Sequence, residues 1–391
     1  MILNLRLFSG AIIALAASTM LAAAQSQTAP APRDPSRPRI GLRVPKPPTV
    51  AIGASGPVLV YELWVTNVAT DQWTLQKVEV LSADKERRVL QRIDGPDLDS
   101  MIGRPGTSIN RPDRRVLAGG GWGLVYLWVP IDRNAPPSSI FHRVTVELNR
   151  AGTSATAEVE GSAVPVMRDL LTIAPPLRGG RWRVGNGPSN TSIHRRTFSV
   201  QAANLTNPER FAIDYVKVGE DGLPFSPDEL RNENHYAYGE DVLAVADGVV
   251  VASKNDLPDL VPGAPRLPPT PETAPGNYVI LDIGRGAYAM YAHLKPASLG
   301  VVVGERVKRG QVIGLLGNSG NSRGPHLHFQ IQDTPVLSSE GLPYAHESFD
   351  LVGQCEPQPL GRCERKPPVT RRNEIPLNSM LVQFGLKQKQ D

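Results

Sequence analysis

The triplet His326-Leu327-His328, inside Gly324-Pro325-His326-Leu327-His328-Phe329-Gln330-Ile331, is the part of this chain best suited to chemistry. Apolar and polar residues alternate after a Gly-Pro turn, which reads as a strand. On a strand, residues i and i+2 share a face, so two imidazoles stand side by side about 7 Å apart. That spacing suits one imidazole on a metal ion and its neighbour beside a metal-activated water. With only 7 histidines in 391 residues, and with other His and Asp residues placed where such a site needs them, a merely solvated strand face is the weaker reading.

The elements that must position these residues read as β-structure. The length allows two domains plus linkers. With 36 Gly, 37 Pro and only 6% aromatic residues, the composition favours strands and turns over a helical bundle. At the N-terminus, Arg6, an apolar run over residues 7–21 and Ala22-Ala23-Ala24 before Gln25 read as a signal peptide spanning 1–24. The run is short for a membrane span, and no later stretch qualifies, so the expected location is periplasmic or secreted; a retained N-terminal anchor is the alternative. No Cys lies near the cleavage point, which argues against a lipoprotein. Cys355 and Cys363 are the two cysteines, and in an oxidising compartment they are expected to form a disulfide clip. The net charge of +4 fits an anionic cell-wall polymer or membrane surface. No Lys/Arg stripe with interleaved aromatics suggests nucleic acid.

Residues 25–48 are Pro/Ala-rich and read as a linker. Residues 49–166 carry short alternating runs at hairpin spacing, among them 58–67, 73–81, 123–129, 142–148 and 156–160. They predict an antiparallel β-sandwich, immunoglobulin-like in outline. His142 falls within one of these runs without a partner and reads as structural or surface. After a Pro/Gly-rich joint, residues 167–333 are again all β. A hairpin is predicted around residues 283–287, and two insertions, near 219–234 and 255–275, read as surface loops. Asp247 and Asp282 sit at turns. The tail, 334–391, reads as irregular, with His346 solvated.

Several motifs occur in order: Val242-Leu243-Ala244-Val245-Ala246-Asp247-Gly248, Gly276-Asn277-Tyr278-Val279, Tyr291-Ala292-His293-Leu294, Gly304-Glu305-Arg306-Val307-Lys308-Arg309-Gly310-Gln311, Gly317-Asn318-Ser319-Gly320 and His326-Leu327-His328. Over residues 193–333 the chain resembles the lysostaphin-type (LytM-like) metallopeptidases, a family of peptidoglycan hydrolases. The resemblance implies an antiparallel β-domain with a groove over one sheet. It also implies zinc held by a His, an Asp and the second His of the His-x-His pair. Carried over, Asp214 and His328 become metal ligands, and His293 and His326 become catalytic imidazoles. Three N/O ligands leave a fourth position open for water, as hydrolysis requires. Gly317-Asn318-Ser319-Gly320 lacks the spacing and lysine of a phosphate loop and is expected to shape the groove.

One position departs from the family pattern. The first ligand His, four residues before the Asp, is here Arg210, and a guanidinium does not ligate zinc. His194 is the expected substitute. Residues 197–201 and 211–216 look strand-like, and a hairpin centred near Asn204 brings His194 opposite Asp214. His235, in the loop 231–236, is the alternative, and a degenerate site with neither is the third case. The resulting expectation is an exported zinc metalloendopeptidase that cuts the peptide cross-links of peptidoglycan. The sandwich would position it or cover its groove. The rival is a zinc-free binding or activator protein partnering another cell-wall hydrolase. A carbohydrate-binding β-protein would need more exposed aromatics than Tyr288 and Tyr291.

Overall fold

The computed structural model describes residues 38–53, 56–104, 113–150, 153–264, 270–356 and 361–385. The expected signal peptide and residues 25–37 of the expected linker lie outside these. The linker does not extend to residue 48: Ile40–Arg43 is already a strand, paired along Gly56–Asn67.

The described chain is nearly all β, as its turn-rich composition requires. The runs read as strands in the N-terminal half form two antiparallel sheets. One holds Ile40–Arg43, Gly56–Asn67, Trp122–Pro130 and Ile102–Gly103 in that order, with Val50–Gly53 beside the second. The other holds Thr153–Glu160, Ser139–Arg150, Gln72–Ser82 and Val89–Asp94. Their inward residues, among them Leu59, Leu63, Trp73, Val78, Leu127 and Val144, make one apolar core. His142 is buried in this half, 2.9 Å from the Tyr61 hydroxyl, and burial pushes its imidazole down to about 4. It is a neutral structural group.

The C-terminal half is built on an 11-stranded sheet. At its centre Ile213–Val218 lies between Gly179–Gly185 and Leu327–Gln332, and the latter is followed by Tyr288–Leu294, Asn277–Asp282 and Gly248–Lys254. Alternation sorts the residues. Tyr215, Leu327, Phe329, Ile331 and Tyr291 face the core. Asp214, Val216, His328, Gln330 and Ala292 face a cleft of about 600 Å³ on the opposite side.

The tail is not irregular. Tyr344–Cys355 and Cys363–Glu374 form a long antiparallel hairpin, and Met380–Phe384 inserts between Tyr344–Cys355 and Gly179–Gly185. Cys363–Glu374 reads as coil because it is polar and carries two prolines, which an exposed strand with one free edge tolerates. Cys355 and Cys363 face each other in the register and are disulfide-bonded. His346 is not solvated either: it is fully buried, shares a 2.8 Å hydrogen bond with the Tyr215 hydroxyl, and burial pushes it down to about 3.

Candidate metal centre

Strand register sets the first two groups of the site. Asp214 pairs across to His328 on one side and to Gly185 on the other, so its carboxylate and the His328 ring project from one sheet face. His328 Nδ1 lies 2.9 Å from Asp214 Oδ1. The other ring nitrogen, Nε2, lies 3.1 Å from Gln330 Oε1, while Gln330 Nε2 donates to Gln332 Oε1 at 2.9 Å. Gln332 Nε2 in turn donates to the carbonyls of Thr334 and Val336. Those carbonyls can only accept, which fixes the direction of the whole row. Gln330 Oε1 is left as an acceptor, so His328 Nε2 donates to it, while Nδ1–H donates to Asp214 and is the proton a metal ion would displace.

His194 reaches the same place by a route that differs from the expected one. The hairpin exists but is small, Ser199–Gln201 against Asn204–Thr206, and it turns at Ala202 and Ala203, both with positive φ. It does not pair with Ile213–Val218, so His194 is not a cross-strand neighbour of Asp214. Instead His194 opens a one-turn 3-10 helix, His194–Arg196. Its Nδ1–H donates to the Ala212 carbonyl at 3.4 Å, and its Nε2 stands 3.3 Å from Asp214 Oδ2. His235 lines the cleft but is held away by its own loop, donating from Nε2 to the Glu229 carbonyl at 2.8 Å.

His194, Asp214 and His328 each offer one donor atom within 4.8 Å of the others, and all three residues are buried. Ligands at about 2.0–2.1 Å from a tetrahedral zinc stand a little over 3 Å apart. The spacings of 3.3 Å and 2.9 Å on either side of Asp214 fit that ion with little movement. Asn186 donates to Asp214 Oδ2 at 2.8 Å and holds the carboxylate plane. Burial acts to raise the Asp214 carboxyl, but His194 and His326 nearby and hydrogen bonds from His326 and His328 hold it well below the usual range. Burial acts to lower His328, and the hydrogen bond and charge of Asp214 outweigh it, lifting the imidazole to about 9.

Two further imidazoles stand at the rim, with ring centroids 4.7 Å apart. His293 donates from Nδ1 to the Ser319 carbonyl at 2.8 Å, and His326 donates from Nδ1 to the Gly324 carbonyl at 2.8 Å. Each therefore presents Nε2 toward the site, that of His326 standing 3.5 Å from Asp214 Oδ1. Burial, then the charges of His326 and His328, hold His293 well below its ordinary value. His293 has a left-handed backbone, φ 62°, uncommon outside glycine. It is over-determined: its N–H donates to the Pro275 carbonyl, and its own carbonyl accepts from Gly317. Gly317-Asn318-Ser319-Gly320 thus acts through its backbone. Asn318 and Ser319 are fully buried and tie this loop to Asp259, Leu260 and Leu294.

The two insertions wall the cleft, with Leu223 and Pro224 from one and Pro271 and Pro275 from the other. Arg210 lies elsewhere in role. Its Nε and Nη2 donate to the Glu62 carboxylate at 3.1 and 2.7 Å, and Nη1 donates to the Gly341 carbonyl. Sequence reading passed over Asn186, Gln330 and Glu62. Gln330 was findable, since it follows His328 by two on the same strand face. Gly185-Asn186-Gly187 and a glutamate about 150 residues upstream of the arginine it binds carry no local signal.

Residues 234–338 match Peptidase family M23. His194 and Asp214 lie upstream of that match. The chain is 38% identical over 93 residues to Peptidoglycan DD-endopeptidase ShyA of Vibrio cholerae, covering 24% of this chain and 17% of that protein. It is 31% identical over 145 residues to Glycyl-glycine endopeptidase ALE-1 of Staphylococcus capitis, covering 35% of this chain and 34% of that one. The chain therefore spans about a third or less of the length of these relatives. Among solved structures, the catalytic domain of lysostaphin from Staphylococcus simulans is 26% identical, covering 32% of this chain and 86% of that one, with a TM-score of 0.21.

Proposed function

From a chain that carries a Peptidase family M23 domain, we propose an exported zinc metalloendopeptidase that hydrolyses peptide cross-links of peptidoglycan. The observation that carries this reading is the convergence of His194 Nε2, the Asp214 carboxylate and His328 Nδ1 on one point beneath the rim imidazoles. In this reading these three are the metal ligands, and His293 and His326 are the catalytic pair. The endopeptidase names of the similar proteins supply the substrate class.

Zinc held there supplies Lewis acidity and brings a water's pKa toward about 7. The protein's own groups do the rest. The Nε2 of His293 or His326 takes the proton of the attacking water, and the imidazolium so formed returns it to the leaving amine. Their Nδ1–H bonds to backbone carbonyls keep both rings aimed through the cycle.

Arg210 was the feature favouring a zinc-free activator. Its guanidinium is committed to Glu62 and Glu340, and His194 stands beside Asp214 where a third ligand belongs, which supports the enzyme. The test is zinc content of the purified chain, wild type and His194→Ala. About one zinc per wild-type chain, lost in the variant, is expected, together with release of cross-link peptides from purified peptidoglycan by wild type only. Absence of zinc from wild type after incubation with the metal overturns the enzyme in favour of the activator.

A further inference from the structure

Within its own half of the chain the 3-10 turn that presents His194 is held by scattered single bonds, among them Arg196 Nε to the Asn190 carbonyl at 3.0 Å and Thr197 Oγ1 to the Ile193 carbonyl at 3.0 Å. Its internal backbone bonds are Arg196 N–H to the Ile193 carbonyl and Thr197 N–H to the His194 carbonyl. A single turn of this kind has scant stability of its own. The His194 ring adds one long bond, to the Ala212 carbonyl.

The two residues after His194 are anchored on the N-terminal sandwich. Arg195 is fully buried; its Nη2 donates to the Tyr61 carbonyl at 2.8 Å, and its Nη1 pairs with the carboxylate of Glu62. Arg196 donates to the Ser100 carbonyl at 2.6 Å and lies 4.7 Å over the Tyr126 ring. Glu62, on the strand Gly56–Asn67, is itself 2% exposed and also receives Arg210. Arg210 continues to Glu340 at 2.5 Å, Glu340 accepts from the Asn207 N–H, and the Asn207 side chain donates to the Arg195 carbonyl at 2.9 Å. Two carboxylates, two guanidiniums and Asn207 thus close a ring that joins the His194 turn to the segment entering Asp214. A buried ion network of this sort adds little net stability but is exacting in geometry. Here that geometry fixes where His194 stands relative to Asp214.

We propose that Glu62 is a positioning residue for the metal site, so that the N-terminal sandwich completes the site by locking the His194 turn in place through Arg195 and Arg210. This rests on His194 being a zinc ligand. It gives the sandwich a role beyond recruiting the enzyme or covering its groove, and it accounts for an arginine at position 210: that side chain belongs to the lock.

The experiment measures zinc affinity of the full chain by competition with a chromophoric chelator, and the visible spectrum of the cobalt-loaded protein. It compares wild type with Glu62→Gln, Arg195→Lys and Lys46→Ala. Lys46 bonds to Asp333 at 2.9 Å, a bridge between the two halves that touches none of the ring. Glu62→Gln keeps the shape and loses the charge; zinc is expected to bind 10-fold or more weaker, with altered cobalt bands, in the range seen when outer-shell partners are removed. Arg195→Lys keeps the charge and loses the fork, and the same direction is expected. It decides the matter if Glu62→Gln does not fold. Lys46→Ala is expected to bind as wild type does.

Wild-type affinity and spectrum in a folded Glu62→Gln chain, or in Arg195→Lys, overturn the proposal while leaving the metalloenzyme intact. An equal loss in Lys46→Ala overturns it in favour of general docking of the halves. A wild-type chain that takes up no zinc overturns the metal-site reading and this inference with it.

Discussion

Gln330 accepts the Nε2 proton of His328 at 3.1 Å, two residues along the same strand face. Because Gln332 anchors the row of amides on two backbone carbonyls, this bond has one direction. It leaves His328 Nδ1, which donates to Asp214, as the nitrogen a metal ion would take once that proton is lost. Gln330→Ala removes the acceptor and frees the ring to flip or change tautomer. Zinc affinity is then expected to fall about 10–100-fold, as for other outer-shell partners. Gln330→Glu retains an oxygen acceptor and is expected to bind within a few-fold of wild type. Chelator competition on both variants checks this, and equal losses would show that the amide row does not set the tautomer.

The same ring governs pH dependence. With no metal beside it, His328 is lifted from its ordinary 6.5 to about 9 by Asp214. It therefore holds its proton at pH 7 and loses it as pH rises through that value. A metal ion needs the Nδ1 lone pair, so zinc competes with this proton. Apparent zinc affinity is expected to rise close to tenfold per pH unit from about pH 7 and to level off near pH 9. At pH 7, binding should release at least one proton. Calorimetry in buffers of different ionisation enthalpy measures that release, and a value near zero would contradict a protonated His328.

His293 and His326 should separate chemistry from metal binding. Neither belongs to the cluster of close donor atoms, and both are pinned through Nδ1 to backbone carbonyls. His293→Ala or His326→Ala is expected to retain about one zinc per chain and to lose about 10²–10⁴-fold in cleavage rate, the usual range for an acid–base group. His194→Ala should lose both. Metal analysis alongside chromatography of digested peptidoglycan distinguishes the two classes. Loss of zinc from His293→Ala would reassign that residue to the metal.

Much of the site was legible because it follows strand periodicity. His326 and His328 were readable from alternation, Asp214 came through the family resemblance, and the shared face of Asp214 and His328 is a consequence of register. His194 was readable by type, since Arg210 left a ligand unaccounted for, but its route was not. Nothing local announces that a three-residue turn is held by Glu62, about 130 residues earlier in the chain. Ion pairs between distant segments have no periodicity to betray them. The tail failed for a different reason. Met380–Phe384 is only five residues long, and Cys363–Glu374 is exposed along nearly its whole length. A short inserted strand and a polar one look like coil until the partner Tyr344–Cys355 is known.

The strand Met380–Phe384 should accordingly behave as core. Phe384 is 1% exposed and meets Tyr215 and His346 edge-on, with centroids 5.7 and 5.5 Å away. Tyr215 is the residue after Asp214, so this packing lies directly beneath the candidate metal centre. Removing the ring leaves a cavity where those edges met, and Phe384→Ala is expected to destabilise by about 3–5 kcal/mol. Its neighbour Gln383 points to solvent, and Gln383→Ala should stay within about 0.5 kcal/mol of wild type. Thermal unfolding of the two variants reads the contrast. A loose tail would give two small and similar shifts; a strand integral to the sheet gives one large and one negligible. If the floor beneath Asp214 also sets the donor spacing, Phe384→Ala should weaken zinc binding at temperatures where the chain is still folded, while Gln383→Ala leaves it unchanged.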